Sequence, residues 1–315
     1  MSAEPIPSLR SPIPRLQFGV LLPQFGPLAR GADVKERIRR VAITAERLGY
    51  DVLWTAEHII FPQTIASPYP YGGRFPYPVT DPILDVVATL SYVAALTERI
   101  KLGSSVLVLP YRNPIVLAKE LASLDVLSDG RLLLGVAGGW LAEEFDMLGV
   151  PFRERGRRMG EYLALLRALW SDERVTFRGR WFDLQDAAFF PKPIQQPCPI
   201  WIGGGSPAAL RRVARCGDGW IAAPRPTLDD LARDIGEIRR HAEADGRDPG
   251  TIGVASGSGA GSIDELLDRL PRVEKIGVTI ASVPLLFWAR SFEHALELME
   301  EFALRAGLTR GRPVL

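Results

Sequence analysis

The chain has 315 residues, and its 38 Lys and Arg nearly cancel its 37 Asp and Glu, leaving a net charge of +1. Nothing in that balance suggests a nucleic acid or an anionic membrane surface as partner. An apolar fraction of 47% is ample for one large core, and two cysteines, Cys198 and Cys216, exclude a disulfide framework and a Cys-rich metal centre.

Residues 1–15 carry prolines at 5, 7, 12 and 14 and read as an extended arm, without the apolar core of a signal peptide. No apolar run along the chain reaches the ~18 residues of a membrane span, so a soluble, cytoplasmic protein is expected. Leu16 to Leu22 reads as a first strand, closed by Pro23-Gln24-Phe25-Gly26. Asp33 is placed to cap a helix, with Glu36 following; Val34, Ile38, Val41, Ala45 and Leu48 keep one face apolar until Gly49 stops it. Val52-Leu53-Trp54 is the second strand, running into Thr55-Ala56-Glu57-His58. Residues 59–80 are rich in Pro, Tyr and Gly and have no period. A loop of that length inside a compact domain is usually functional, and a lid over a site is expected.

Asp81-Pro82 reads as the start of the next helix, a cap followed by proline at the first helical position. Ile100 to Ser105 is a third strand that continues through Val106 to Pro110, and Asn113-Pro114 opens a helix with Leu117, Leu121 and Leu124 on one face. Leu132 to Val136 is all apolar, which suits a strand buried on both faces. It ends in Ala137-Gly138-Gly139, where a flat ligand could approach the backbone closely, and Trp140 offers a broad face beyond it. On that segment alone, a buried strand with a tight turn accounts for the residues equally well.

A helical region then reaches Trp170, and Arg174 to Leu184 reads as a β-hairpin excursion. Ile200-Trp201-Ile202 is a strand leading into Gly203-Gly204-Gly205, and Ser206-Pro207 starts a helix to Arg215. Gly219–Ala222, Thr251–Ala255 and Gly277–Ile280 complete the strands, with helices over 227–244, 263–270 and 292–304. Eight strand–helix units without a composition break predict an α/β protein, a single (β/α)8 TIM barrel over 16–315, with insertions after the second strand and before the fifth.

Three strand ends carry candidate chemistry. His58 stands where a barrel presents side chains to its ligand, and its imidazole could donate to a carbonyl or shuttle a proton, with Glu57 beside it; the bland alternative is a loop-packing histidine. His241 and His294 fall in amphipathic helices and read as solvated. Gly203 to Ser206 combines glycine-freed N–H groups with a helix N-terminus, an arrangement suited to phosphate that is also a plain strand-to-helix connection. Gly103-Ser104-Ser105-Val106 interrupts an apolar run and by itself suggests a bulge. No His/Asp/Glu group has metal-ligand spacing, so no metal is expected.

Taken together, Ala45–His58, Leu102–Leu107, Arg112–Asp125, Gly135–Trp140, Phe190–Pro193, Ile202–Ser206 and Gly217–Trp220 make the chain resemble the bacterial luciferase-like monooxygenase superfamily, in its branch of coenzyme F420-dependent oxidoreductases. The resemblance runs from Phe18 to about Phe302. It implies a non-proline cis peptide at Ser105–Val106 behind the cofactor ring, and His58 near that ring. It further implies that Gly138, Gly139 and Trp140 line the ring pocket and that Gly203, Gly204, Gly205 and Ser206 hold the cofactor phosphate. It implies a homodimer as well. The sugar-phosphate dehydrogenases similar to this family carry a glutamate where this chain has Trp140, so their acid/base scheme does not transfer, and Glu143 and Glu144 are expected on a solvated helix face.

The expected activity is hydride transfer between F420 and a small organic substrate, with His58 as proton donor or substrate-orienting group. The rival within the class is a reduced-FMN monooxygenase. Two further readings are a glycoside-hydrolase-type barrel using Glu57 and Glu143 as a carboxylate pair, and a cofactor-binding protein without catalysis.

Overall fold

The computed structural model describes residues 16–308 except 225 and 258, so the arm expected over 1–15 lies outside the described residues. The chain begins with β1 (Gln17–Leu21), α1 (Val34–Leu48), β2 (Val52–Thr55), α2 (Val86–Ala94), β3 (Lys101–Ser104), β4 (Leu107–Val108), α3 (Pro114–Leu127) and β5 (Leu132–Ala137). There follow α4 (Ala142–Met147), α5 (Arg155–Ser171), the hairpin β6 (Arg174–Arg178) and β7 (Asp183–Ala188), β8 (Ile200–Gly203) and α6 (Pro207–Cys216). The chain closes with β9 (Gly219–Ile221), α7 (Leu228–Ala244), β10 (Gly253–Gly257), α8 (Ile263–Lys275), β11 (Ile280–Val283), α9 (Leu285–Trp288) and α10 (Phe292–Arg305). Outside the hairpin the strands pair in parallel and alternate with helices, the order of a (β/α)8 barrel. No helix of the described residues is long and apolar enough to cross a membrane.

The described residues form two compact units: 16–21 with Thr44–Leu53 and 200–308, and Leu22–Ile43 with Trp54–Pro199. In the first unit the ladder runs β1-β11-β10-β9-β8, with Gln17 opposite Ile280, Ala255 opposite Ile280, and Trp201 opposite Gly219. The Trp201 indole lies across Gly219 and Gly253, where an added Cβ would come within 2.3 Å and 2.5 Å of the ring. Glycine at both positions is therefore what lets a tryptophan fill that layer. Phe18 meets Phe302 of α10 edge to face at 5.3 Å, and the Tyr50 hydroxyl donates to Met299 O at 3.0 Å.

In the second unit β3 and β4 both pair with β5. Arg131, just ahead of β5, is 9% exposed and donates to Ala94 O, Ser128 O and Thr97 Oγ1 at 2.7–2.9 Å. A buried guanidinium is tolerated there because carbonyl and hydroxyl oxygens meet its N–H groups.

Three local expectations are corrected. The helix placed at Asp81-Pro82 starts instead at Val86, where the Asp85 side chain accepts from Ala88 N; Asp81 is buried and takes both Nε and an Nη of Arg30, at 2.6 and 2.9 Å. The strand expected at Gly277–Ile280 begins at Ile280, because Gly277, at φ +106, still closes α8 by donating to Glu274 O. The third strand does not run on to Pro110: β3 and β4 are separate, and Leu109–Tyr111 is a 3-10 turn.

Candidate active site

The second unit gathers its polar side chains where β2, β3 and β5 end. Thr55, the last residue of β2, donates its hydroxyl to Gly103 O at 3.1 Å and accepts Ser105 N–H on its own carbonyl at 2.6 Å. The Ser105–Val106 peptide that follows is cis. Beyond it Val108 N–H donates to Glu57 at 2.5 Å, so the second residue past β2 fixes the chain just beyond the cis bond.

Glu57 has no free oxygen. Its second oxygen takes Arg112 Nε at 3.0 Å and Nη2 at 2.5 Å, and the same Nη2 reaches Asp85 at 2.6 Å. Burial pushes the Glu57 carboxyl above its usual range, although Arg112 and the Val108 N–H pull the other way. The same burial opposes the charge on Arg112, but Glu57 and Asp85 outweigh it and raise the guanidinium above its ordinary value. A carboxylate held this way supports neighbouring backbone rather than offering a free base.

The short helix α4 supplies the rest. Phe145 on it is fully buried against Tyr111 at 4.6 Å and Phe152 at 5.3 Å, and this anchoring turns the preceding residue inward. Glu144 is 0% exposed. Its oxygens lie 2.7 Å from His58 Nδ1 and accept from Tyr111 Oη at 2.9 Å, Ile59 N at 2.6 Å and Ile60 N at 3.2 Å. Burial, followed by the charge of Glu144, drives the Tyr111 hydroxyl well above the ordinary tyrosine range, so it stays a donor.

Glu143 accepts from Ala66 N at 2.7 Å, Ser67 N at 2.8 Å and Ser67 Oγ at 2.6 Å. Burial would raise its pKa, but the Ser67 hydroxyl and the backbone N–H donors outweigh that and hold it below the usual value. The expected solvated face for Glu143 and Glu144 is thus overturned. Their partners lie 33 to 86 residues away in sequence, beyond any helical period.

His58 faces a set of rings. Phe61, Phe75 and Trp140 lie 4.5, 5.5 and 5.8 Å from its centroid, and Tyr69 lies 5.2 Å from Trp140. Residues 59–80 therefore fold Phe61, Tyr69 and Phe75 onto Trp140 and His58. Gly139, at φ +76, would place a Cβ 2.7 Å from both Phe145 and Val108, so it serves the packing of α4. Gly138 would meet only Met159 Sδ, at 3.8 Å, and is the glycine that bares the backbone beside Trp140. Gln24, 0% exposed, donates Nε2 to Ala56 O at 2.7 Å and Leu84 O at 3.3 Å, while its buried Oε1 has no hydrogen-bond partner.

In the first unit, Gly203 ends β8, Gly204 sits at φ +113 with its carbonyl accepting from Trp220 Nε1 at 2.8 Å, and Ser206 caps α6 by accepting from Ala209 N at 3.2 Å. His241 lies 3.7 Å from Glu237 on α7, and His294 Nδ1 accepts from Arg290 N at 3.1 Å at the start of α10. The structure thus brings His58, Glu57, Ser105–Val106 and Trp140 into one neighbourhood. It adds Glu144, Tyr111 and Gln24, to which the sequence reading gave no part in the site, and Arg112, the first residue of the Arg112–Asp125 stretch.

Comparison with known proteins decides the family: the luciferase-like monooxygenase model matches residues 16–265. The chain belongs to this family. An uncharacterised protein of Mycobacterium tuberculosis is 34% identical over 242 residues, 76% of this chain and 81% of that protein. An F420-dependent glucose-6-phosphate dehydrogenase of Kineococcus radiotolerans is 35% identical over 217 residues, 67% of this chain and 59% of that protein. Among solved structures, the monooxygenase RslO1 from Streptomyces bottropensis superposes with a TM-score of 0.76 at 22% identity, covering 92% of this chain and 98% of that one, a likeness of fold. The luciferase-like chain here accordingly has the (β/α)8 barrel fold of that family.

Proposed function

We propose that this luciferase-like protein is a coenzyme F420-dependent oxidoreductase that moves a hydride between the deazaflavin and a small organic substrate. The observation that carries the proposal is His58 beside Trp140, with Nδ1 held at 2.7 Å by the wholly buried Glu144. The relative from Kineococcus radiotolerans, named as F420-dependent, favours the deazaflavin over FMN.

The residues fit a ring of this kind. Gln24 must present Nε2 to its two carbonyl partners, so its unpartnered buried oxygen is an acceptor, and a deazaflavin or flavin ring carries an N–H donor that this oxygen lacks. Gly138 leaves the backbone open to a flat group, and Trp140 offers it an edge. Ser105, Val106 and Gly139 shape the backbone around it, and Gly203, Gly204, Gly205 and Ser206 remain the residues proposed for the phosphate. The deazaflavin, when bound, supplies two-electron hydride chemistry.

The protein's part is proton management and exclusion of water. With Nδ1 directed at Glu144, His58 Nε2 is the ring position that takes or gives a proton. Tyr111 and the Ile59 and Ile60 N–H groups satisfy the remaining lone pairs of Glu144, so the imidazole is held in one orientation. Glu57 acts through Arg112 and Val108 as a positioning residue.

The test is titration of the purified protein with F420 and, separately, FMN, each followed by fluorescence. Saturable F420 binding is expected, with turnover lowered about 100-fold or more in His58→Gln while F420 binding persists. Tight FMN binding without F420 binding overturns the proposal.

A further inference from the structure

We infer that the substrate of this site is an uncharged molecule with a flat aromatic face, packed against the half-exposed rings of Trp140, Phe61, Tyr69 and Phe75. The inference rests on the reading that the His58–Trp140 site is where the reaction takes place, and it goes beyond it by naming the substrate's chemistry.

The geometry of the rings is the first ground. Phe75 lies 6.0 Å from Trp140 at an interplanar angle of 31°, Tyr69 lies 5.2 Å from it at 72°, and Phe61 lies 5.2 Å from Phe75 at 42°. These are offset and edge-to-face arrangements, which aromatic side chains adopt among themselves and equally with an aromatic guest. None of the rings is core: Phe61, Tyr69, Phe75 and Trp140 are all only half-buried, and Ile59, Ile60 and Tyr71 on the same loop are 44–46% exposed. Apolar surface left partly open at a strand-end site is surface a ligand can cover. Proline flanks the rings in Pro68-Tyr69-Pro70-Tyr71 and Phe75-Pro76-Tyr77-Pro78, which restricts the backbone and lowers the ordering cost of binding.

Charge is the second ground. The carboxylates around the lid are Glu57, Asp81, Asp85, Glu143 and Glu144; the guanidinium groups bonded among them are those of Arg30 and Arg112, and Arg74, beside Phe75, is exposed on the loop itself. Arg30 gives its Nε and an Nη to Asp81, and Arg112 gives Nε and Nη2 to Glu57 and Asp85. A phosphorylated or carboxylated substrate would approach five carboxylates, with Arg30 and Arg112 already engaged and Arg74 of the loop as the opposing cation. An uncharged ring meets no such barrier.

The experiment uses the full-length protein and three probes: 2-naphthol, which is neutral and aromatic; 2-naphthoate, the same ring system with a charge; and glucose 6-phosphate. Binding is measured by calorimetry without cofactor, so failure of F420 binding and failure of this inference are read separately. We expect 2-naphthol to bind about tenfold or more tightly than 2-naphthoate, a difference of the size that one desolvated charge produces, with no saturable binding of glucose 6-phosphate. Phe75→Leu, which keeps the side chain apolar and spares the lid's packing, is expected to weaken 2-naphthol roughly five- to tenfold, and Phe75→Ala further, whereas Leu127→Ala on the outer face of α3 leaves it unchanged. Phe61→Arg is expected to reverse the preference between naphthol and naphthoate. Equal or tighter binding of naphthoate by the natural protein, saturable glucose 6-phosphate binding, or indifference of 2-naphthol to Phe75→Leu each overturns the inference.

Discussion

His58 Nδ1 and Glu144 Oε2 lie 2.7 Å apart across 86 positions of sequence, and the carboxylate between them is wholly removed from solvent. The same carboxylate receives the backbone N–H groups of Ile59 and Ile60, where the lid begins. Orientation of the candidate proton-transfer group and anchoring of the lid therefore share one side chain. A change in either is transmitted to the other through Glu144.

Glu144→Gln keeps the shape and removes the charge. Every partner of Glu144 is a donor, counting His58 as its Nδ1–H tautomer, so the new amide NH2 must face at least one donor with a donor. Loss of about 2–4 kcal/mol of unfolding free energy is expected in urea titrations, because buried donors are left unmatched. Adding Tyr111→Phe takes away one of those donors, so the double variant should lose less than the sum of the singles. Additive losses would show that Tyr111 and Glu144 are not coupled.

The strand ends were legible because their signals are local. Glycine after an apolar run, proline after an N-cap residue and eight strand–helix repeats each follow from the chain's own period, and Asn113 does accept from Ile115 N and Val116 N as a helix cap should. Glu144 was not legible. A pair of glutamates in the first turn of a helix has the look of solvated residues favoured by the dipole, and only Phe145, packed on Tyr111 and Phe152, forces Glu144 inward. Asp81-Pro82 misled for a related reason. It has the chemistry of a helix start, but Arg30 claims the carboxylate and the helix waits for Asp85.

The 59–80 loop is fastened at Glu143 by bonds from Ala66 and Ser67. The Glu143 pKa is depressed below the ordinary 4.5, since donation from Ser67 and Ala66 outweighs burial. The bonds that depress it hold the lid more strongly in the ionised form; their contribution is complete above about pH 4.5 and is lost as pH falls through the depressed value. Hydrogen exchange of the Ala66 and Ser67 amides, corrected for intrinsic rate, should thus accelerate only below that range. In Glu143→Gln both amides should exchange about tenfold faster near neutral pH, the effect of one charge-assisted hydrogen bond, and the acid step should vanish. An acid step that persists in Glu143→Gln would assign the fastening to another group.

Arg112 is the cation that opposes the burial of the Glu57 carboxylate. Arg112→Met leaves that carboxylate with the Val108 N–H as its remaining donor, and a loss of about 3–5 kcal/mol is expected from denaturant unfolding. Glu57→Gln in the same chain removes the stranded charge and should recover a large part of the loss. If the double variant is no more stable than Arg112→Met, the ion pair is not the source of the destabilisation.

Gly138 and Gly139 stand side by side but should answer opposite assays. At Gly139 an alanine would sit at φ +76 with its Cβ 2.7 Å from Phe145 and Val108, so strain and overpacking act together and about 2–4 kcal/mol of stability should be lost in urea. At Gly138 the new methyl would meet only Met159 Sδ at 3.8 Å, so unfolding should shift by no more than about 0.5 kcal/mol. That methyl would stand where the bare backbone is proposed to face the deazaflavin ring, and F420 affinity in Gly138→Ala should fall about tenfold, the scale of a misfit of one methyl group. Unchanged F420 affinity in a stable Gly138→Ala protein would remove this glycine from the ring pocket.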